Sequence, residues 1–382
     1  MRTRIANGRV LLDGAFRDTD VYFDEQGILF FAKGIGSDRT IDASGSFVTA
    51  GFIDLHCHGG AGYDFSCGDP EGIRKAALLH LQHGTTALFP TVTSSGFETM
   101  EQAVLAIEEA KKTLPMLQGI HLEGPYLSPA QMGAQNGEKI RRPEEKEYTD
   151  FLSRHRIARW DYAPELDPDF RFLDALKSHG VLPAAAHTDA TCREMELASE
   201  RGCRLVTHLY SCTSTIRRVN GFRIAGVTEA AYLKDEIDAE LIADGCHLPD
   251  ELLRLAYKLK GPERLALITD AMRAAGLPEE GVFDIGGVPC FVEDGVAKLM
   301  DRSAFAGSVA TSDRLVRTCV HAGIPLVDSI RMITETPARI MGLNKKGALK
   351  AGNDADIVIF DRNIEMKTII QGGRIAYGRE DR

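Results

Sequence analysis

The chain has 382 residues, of which 44% are hydrophobic and 26% are charged, a balance typical of a globular protein and not of a disordered tail. Its 45 Lys and Arg residues against 55 Asp and Glu residues give a net charge of -10, so a nucleic-acid partner is not expected. No stretch approaches the roughly 20 apolar residues that cross a bilayer, and no apolar run follows the opening residues. We therefore expect a soluble cytoplasmic protein with no membrane partner.

Short β-rich runs open the chain. RVLL, VYF, ILFF and FVTAG occur in the first part of the sequence and are separated by turn residues. The same pattern returns near the end in DADIVIFD and TIIQGGRIAYG, after a long helical stretch that ends near Leu343. These patterns predict one small discontinuous β-sandwich domain, built from residues 1–50 and 345–382.

Short apolar runs, each followed by a helical or loop segment, fill the residues between these ends. They are FIDLHCH, TTALFPT, LQGIHLEG, ARWDYAP, LPAAAHT, RLVTHLY, AELIADG and LALITDA. Apolar strands that alternate with helices are typical of parallel strands covered by helices. No glycine-rich phosphate fingerprint follows the first strand, which disfavours an open doubly wound sheet. We predict an α/β fold, a (β/α)8 TIM-like barrel over residues 51–344.

Helical periodicity is visible in several of the spacers between these runs. Examples are EGIRKAALLHLQHG, FETMEQAVLAIEEAKKT and DELLRLAYKLKG. The glycine that closes the last of these segments suits the C-terminus of a helix.

Side chains that bind metals stand where the apolar runs end, which is the end of a barrel that carries chemistry. They are His56, His58, Glu123, His187, His208, Asp244, His247 and Asp270. His56 and His58 are two residues apart on a strand, so both imidazoles point to one face while Cys57 points away. A single strand histidine is commonly a satisfied core residue, but the shared position of these residues favours a ligand set.

Imidazoles and carboxylates at open positions are the donors that a catalytic divalent metal needs. Zinc is the first choice for such a set, with iron, manganese or cobalt as alternatives. The ion lowers the pKa of a bound water and polarises a carbonyl. Asp270, at the end of ITDA, is the candidate catalytic acid and base. Its alternative role is to cap a helix over the following AMRAAG.

The cysteines and the remaining histidines are expected to be structural. The eight cysteines never form a C-x-x-C pair, which argues against a zinc ribbon and a dithiol redox site and favours reduced thiols. The histidines in helices or polar loops are His80, His83, His155, His179 and His321.

Several longer motifs follow one another over essentially the whole chain. They are GFIDLHCHG, HLEGPY, AHTDAT, THLY, IADGCH, LITDAM and FAGS, then TPARIMGL and KGALKAGNDADIVIFD. In this order they resemble the amidohydrolase superfamily and, within it, the deacetylases of aminosugar phosphates. The resemblance implies a barrel flanked by a small β domain from both termini, a homodimer, and hydrolysis of the acetamide of N-acetylglucosamine 6-phosphate in amino-sugar catabolism.

The resemblance also implies a metal site with one or two divalent ions per subunit. The expected ligands are His56, His58, Glu123, His187, His208 and Asp270. Glu123, His187 and His208 match the ligands shared by the family, and the first two histidines match a pair that holds a second ion in some members. Asp270 matches the catalytic acid and base.

A second set of residues is implied to bind the aminosugar phosphate. They are Ala134, Gln135, Ser211, Cys212, Arg218, His247, Ala306 and Gly307. The chain departs from the family where Ser211 and Cys212 replace Asn and Ala, and where Gln135 replaces His. The third departure lies at Arg218. This residue is displaced by one position from the start of the family's R-E-P-G run, whose arginine usually reaches the phosphate from the partner subunit. We expect all three departures to surround the sugar phosphate and none to touch the metal.

Alternative functions stay open at this point. A galacto isomer, an unphosphorylated sugar or another acyl group would suit the shorter Ser211 and the uncharged Gln135, whereas Arg217, Arg218 and Arg223 favour an anion. Ring-opening amidohydrolases usually carry a carboxylated lysine after strand four, but ARWDYAPE has none. A barrel that only binds would have lost its ligands, yet all six positions are filled.

Overall fold

A computed structural model describes residues 1–278 and 281–378 of the chain. The strands that precede the barrel are β1 (Thr3–Ala6), β2 (Arg9–Leu12), β3 (Ala15–Asp18), β4 (Asp20–Asp24), β5 (Gly27–Ala32), β6 (Arg39–Asp42) and β7 (Phe47–Ala50). Those of the barrel and its connections are β8 (Phe52–Cys57), β9 (Gly59–Gly60), β10 (Tyr63–Asp64), β11 (Thr85–Thr93), β12 (His121–Glu123), β13 (Arg159–Tyr162), β14 (Leu182–Ala185), β15 (Leu205–Val206), β16 (Arg217–Val219), β17 (Phe222–Ile224), β18 (Asp238–Ile242) and β19 (Leu265–Ile268). The later strands are β20 (Gly281–Ile285), β21 (Val288–Glu293), β22 (Val296–Leu299), β23 (Phe305–Ser308), β24 (Ile357–Phe360), β25 (Met366–Gln371) and β26 (Arg374–Gly378).

Helices lie mainly between the barrel strands and after them. They are α1 (Pro70–Gln82), α2 (Phe97–Lys111), α3 (Glu145–Arg154), α4 (Arg171–Ser178), α5 (Cys192–Glu200), α6 (Val227–Leu233), α7 (Asp250–Lys260), α8 (Ser312–His321), α9 (Leu326–Ile333) and α10 (Glu335–Ile340). Helix α7 ends as its sequence predicts: Gly261 has φ +71° and its N–H bonds to the carbonyl of Tyr257. A residue with a Cβ adopts that backbone conformation only at a steric cost.

Strands from both ends of the chain form two facing sheets. One sheet has the order β5-β4-β1-β6 and the other has the order β26-β25-β24-β7-β2-β3. Strand β24 pairs antiparallel with β7, which joins the two termini in one sheet. Val21 and Phe23 of one sheet share a buried core with Val48 and Ile359 of the other. The predicted discontinuous β-sandwich is confirmed, while its exact residue bounds stay a prediction.

Within the described ranges, eight strands form one parallel sheet in chain order, β8-β11-β12-β13-β14-β15-β18-β19. Cys57, at the end of β8, forms a parallel bridge with Ala271 just after β19, so the sheet nearly closes on itself. Every residue of β8 and of β11 is buried, as expected of strands that are covered on both faces. The predicted barrel is confirmed, and its strands come from the predicted apolar runs.

Two additions to the barrel are not anticipated in the sequence analysis. Strands β16 and β17 form an antiparallel hairpin, and β20 to β23 form a four-stranded antiparallel sheet in the described chain. Ile285, Cys290, Val292 and Ala306 are buried together under that sheet. The FAGS run forms strand β23, and its second residue, Ala306, belongs to this small core.

The possible helix over AMRAAG is wrong, and Asp270 caps no helix in the described residues 271–278. The carbonyl of Ala271 accepts a 2.8 Å hydrogen bond from the N–H of His58, and the carbonyl of Arg273 accepts a 2.7 Å bond from the N–H of Gly62. These bonds occupy carbonyls that a helix would use for its own ladder. Tertiary contacts with the loop after β8 thus override the local helical preference.

The cysteines are all free thiols and all eight lie in the described ranges, in agreement with the sequence analysis. No helix within residues 1–278 and 281–378 combines the length and the apolar character that a bilayer crossing requires.

Candidate active site and metal centre

The residues expected to bind metal meet at one rim of the barrel. His56 lies in β8 and His58 follows it, Glu123 ends β12, and the other three residues stand two positions after β14, β15 and β19. Those three are His187, His208 and Asp270. The carboxyl ends of parallel barrel strands share one rim, which explains how residues far apart in sequence converge. All six side chains are buried.

Glu123 is the centre of a first group of candidate ligands. Its Oε1 lies 3.0 Å from Nε2 of His187 and 3.1 Å from Nε2 of His208. The donor atoms of these three residues all lie within 4.8 Å of one another. Burial raises the pKa of Glu123, but the neighbouring histidines His56 and His187 hold it well below its ordinary value. Glu123 is therefore ionised at neutral pH.

His56 and His58 complete a second group that shares Glu123. Their Nε2 atoms lie 3.1 Å apart, and Nε2 of His58 lies 3.4 Å from Oε2 of the carboxylate. Cys57 points away, with its Sγ 3.2 Å from Nε2 of His80. Nε2 of His56 lies 3.6 Å from Oε1, the oxygen that the first group contacts, so both groups meet at one carboxylate, an arrangement that can hold two ions through a shared ligand.

The outward nitrogens of two of these imidazoles are already partnered. Nδ1 of His187 lies 2.9 Å from the carbonyl oxygen of Gln131, which can only accept, so this nitrogen carries the proton. Nδ1 of His58 lies 3.1 Å from Oγ1 of Thr93. Each ring is therefore held with Nε2 toward the centre, as in metal-binding histidines whose other nitrogen is fixed by a hydrogen bond.

Asp270 faces both histidines of the second group. Its Oδ1 lies 3.3 Å from Nε2 of His56 and 3.3 Å from Nε2 of His58. Burial raises the pKa of Asp270, but the bond from His58 and the charge of His56 lower it to about 2. Burial likewise lowers the pKa of His58, yet bonds to Asp270 and Glu123 raise it to about 10. Both shifts have one cause: ionised carboxylates that favour positive charge beside them, a charge that a divalent cation would also supply.

A cavity of about 270 Å³ opens above these ligands. Of the predicted substrate-binding residues, those that line it are Ala134, Gln135, Ser211, Cys212, His247 and Gly307. Ala306 does not line it, because its side chain is fully buried in the core beneath β20 to β23. Arg218 does not line it either, since it lies exposed on the β16–β17 hairpin.

His247 is held by a buried carboxylate at the cavity wall. Its Nδ1 lies 2.8 Å from Oδ2 of Asp244, whose Oδ1 accepts a 2.8 Å bond from the backbone N–H of His247. The ring of Phe305 packs against the imidazole with centroids 4.8 Å apart. Asp244 thus fixes the ring so that its other nitrogen is free to contact a ligand in the cavity.

The sequence pattern that defines the amidohydrolase family matches residues 47–376 of this chain. The chain belongs to the amidohydrolase family. This confirms the resemblance that the sequence motifs carry.

Curated and solved relatives match nearly the whole of this chain and of their own length. An N-acetylglucosamine-6-phosphate deacetylase of Lysinibacillus sphaericus is 32% identical over 371 residues, which cover 95% of this chain and 94% of that protein. A Mycobacterium smegmatis enzyme of the same name, solved as a mutant with N-acetyl-D-glucosamine-6-phosphate, is 30% identical with a TM-score of 0.90 and coverage of 98% and 99%. A Pasteurella multocida deacetylase is 27% identical with a TM-score of 0.91.

One of the departures from the family pattern contacts a candidate metal ligand of this amidohydrolase while also lining the cavity. Gln135 does not stand apart from the ligands: its Nε2 donates a 2.5 Å hydrogen bond to Oε2 of Glu123, and its Oε1 accepts from the N–H of Ser94. Sequence spacing does not show which way a loop side chain points, so the sequence alone does not predict this contact.

Cys212, a second departure from the family pattern, also lies beside the candidate metal ligands. Burial raises the pKa of its thiol, but the neighbouring histidines His187 and His208 lower it below its ordinary value. A Cβ at Gly133 would meet both Sγ of Cys212 and the ring of His187, so the two side chains share one corner of the cavity. Glycine at position 133 leaves room for that contact because it has no side chain.

A fully buried charged layer below the ligands of this amidohydrolase is missed by the sequence analysis. It consists of Arg159, Asp161, Glu240 and His121, each 0% exposed. Charged residues inside buried strands require partners, since an unpaired buried charge is costly. Arg159 and Asp161 alternate on β13, and Glu240 interrupts the apolar run of β18. That interruption is the signal that could have revealed the layer.

Proposed function

We propose that this amidohydrolase removes the N-acetyl group of N-acetylglucosamine 6-phosphate, giving glucosamine 6-phosphate and acetate, as a step of amino-sugar catabolism. The observation that carries the proposal is the pair of ligand groups joined by Glu123 at the floor of the cavity, with Asp270 beside them. The names of the relatives support the substrate and the reaction.

The metal of this reaction is a divalent cation, and we propose zinc, one or two ions per subunit. Nitrogen and oxygen donors suit zinc, while iron, manganese and cobalt accept the same set. Glu123, His187 and His208 would hold one ion, and His56 and His58 would hold another with the same carboxylate. Such an ion lowers the pKa of a bound water and polarises an amide carbonyl.

Asp270 handles the proton in the proposed reaction. Its lowered pKa keeps it ionised at neutral pH, so it can accept a proton from the attacking water. The carboxyl that results can then protonate the departing nitrogen, which leaves as a free amine. Its backbone is fixed by a 2.9 Å bond from its own N–H to the carbonyl of His56. That bond ties the acid–base group to strand β8, which carries His56.

The cavity side chains are proposed to bind the sugar. His247, held by Asp244, would contact the acetamide or a sugar hydroxyl, and Ser211 and Gly307 line the same space. Among the described residues, no Lys or Arg lines the cavity of a single chain. We therefore propose a homodimer in which Arg218, on the exposed β16–β17 hairpin, reaches the phosphate in the partner subunit's cavity.

The lack of a Lys or Arg side chain among the described residues that line the cavity also favours a second candidate, an N-acetylated aminosugar without phosphate. A side-by-side assay separates the two candidates. Metal-loaded protein is incubated with N-acetylglucosamine 6-phosphate, its galacto isomer and plain N-acetylglucosamine, and acetate is measured. Fastest release from the first compound supports the main proposal, and fastest release from the plain sugar supports the second. The cytoplasmic location stays a prediction.

A further inference from the structure

The charged layer below the metal centre is tied together by one guanidinium. Nε of Arg159 lies 2.8 Å from Oδ1 of Asp161, and its Nη2 lies 3.0 Å from Oε2 of Glu240. Its Nη1 also bonds to the second oxygen of Glu240. These charge-assisted hydrogen bonds from Arg159 restrict the rotation of both carboxylates.

His56 is the ligand that touches this layer. Its Nε2 faces the other ligands, while its fully buried Nδ1 has no hydrogen-bond partner and lies 3.8 Å from Oε2 of Glu240. The other carboxylate, Asp161, is already used, since it accepts hydrogen bonds from Nε and Nη2 of Arg159 and from Oγ1 of Thr207. Its Oδ1 also lies 3.0 Å from Nε2 of His121. His121 in turn contacts Oγ1 of Thr91 through Nδ1 at 2.9 Å. Glu240 is thus the carboxylate available to His56.

We propose that Glu240 is a positioning residue for the metal centre: it accepts the Nδ1–H of His56 when an ion binds at Nε2, and Arg159 holds it there. The inference rests on the proposed metal-dependent function. It concerns the ion held by His56, His58 and Glu123, and not the ion held by Glu123 with His187 and His208.

The partners of the other imidazoles show why this contact matters. His58 and His187 place Nδ1 against neutral oxygens, a threonine hydroxyl and a backbone carbonyl. A carboxylate in that position makes an imidazole more basic and orients it more strongly, which strengthens its bond to a metal. Glu240 therefore gives His56 the strongest outward partner of these three rings, at the ion group where Asp270 also lies.

The test compares Glu240→Gln with Asp161→Asn, a matched removal of the other carboxylate gripped by Arg159. Purified holoenzymes are analysed for zinc per chain, and the affinity of each ion is measured by competition with a chelator. We expect Glu240→Gln to weaken one ion by roughly 10- to 100-fold and to leave the other unchanged. Asp161→Asn should keep both ions at wild-type affinity, because Glu240 and His56 remain.

Two further readouts keep the proposal falsifiable if a variant is unstable. Glu240→Asp keeps the negative charge beside Arg159 but withdraws the oxygens from His56, so it should weaken the same ion. The cobalt-loaded proteins should show an altered visible absorption for the Glu240 variants only, because the ligand field at His56 changes.

Three outcomes would overturn the inference. They are wild-type affinity for every ion in both Glu240 variants, an equal loss in Asp161→Asn, and a loss confined to the ion of His187 and His208. These measurements use no sugar substrate. A failure of the proposed deacetylation would appear instead as an absence of acetate release from protein with its full metal content.

Discussion

The side-chain amide of Gln135 donates a 2.5 Å hydrogen bond to Oε2 of Glu123, the carboxylate that both ligand groups share. A residue expected to contact the sugar phosphate thus orients a candidate metal ligand. The amide carries no charge, so it orients the carboxylate without neutralising its attraction for a cation. A histidine at this position, the residue typical of the family, could carry a competing positive charge.

Replacing Gln135 with Ala should weaken metal binding by roughly 10-fold, because an oriented ligand loses its outer partner. Zinc affinity measured by chelator competition checks this. Gln26→Ala is the control, since Gln26 is exposed on the turn between β4 and β5. Equal zinc affinity in Gln135→Ala and wild type would show that Glu123 needs no such support.

Asp270→Asn should lower kcat by roughly 10²- to 10⁴-fold, because the side chain can no longer accept and return a proton. KM should change far less, since the cavity residues that hold the sugar stay in place. Steady-state acetate release is the measurement, with the exposed Asp301→Asn as control. A KM effect without a kcat effect would assign Asp270 to substrate binding instead.

Arg218→Ala should raise KM for N-acetylglucosamine 6-phosphate by roughly 10-fold, the effect of losing one charge-assisted hydrogen bond. KM for the unphosphorylated sugar should stay unchanged. Arg223→Ala is the matched control, because it is the cross-strand partner of Arg218 on the same exposed hairpin. If Arg223→Ala raises KM as much, the hairpin acts through its overall charge and not through one guanidinium.

Acid should remove a stabilising contribution of Glu240. Burial raises the pKa of this carboxyl, but the charge of Arg159 lowers it from the ordinary 4.5 to about 2. A group whose pKa is lower in the folded state stabilises it above the unfolded value, and this is lost as pH falls from 4.5 toward 2. The difference in free energy of unfolding between wild type and Glu240→Gln should therefore shrink over that range. A constant difference would contradict the pairing with Arg159.

The barrel and its ligands were predictable because each step rests on a local pattern. The apolar runs around His56, Glu123 and His208 read as buried strands. Once the strands are parallel, the rim on which their last residues lie is fixed by topology. The convergence of the six candidate ligands could therefore be predicted from the sequence pattern and the barrel topology alone.

The additions to the barrel depend on contacts that a local pattern does not contain. The turn after Asp270 looked helical, yet its carbonyls bond to the loop that follows β8. Gln135 and Ala306 face directions set by loop packing and by the small sheet β20 to β23. The sequence does not predict the charged layer because Arg159 and Glu240 lie far apart in the chain. Each buried charge is stable only because the other is its partner.

Removal and return of the metal, followed by acetate release, tests the central claim most directly. Protein stripped with a chelator should release no acetate from N-acetylglucosamine 6-phosphate, and zinc should restore the rate with one or two ions bound per chain. Acetate release that survives complete removal of metal, or no release from this substrate by fully loaded protein, would contradict the account.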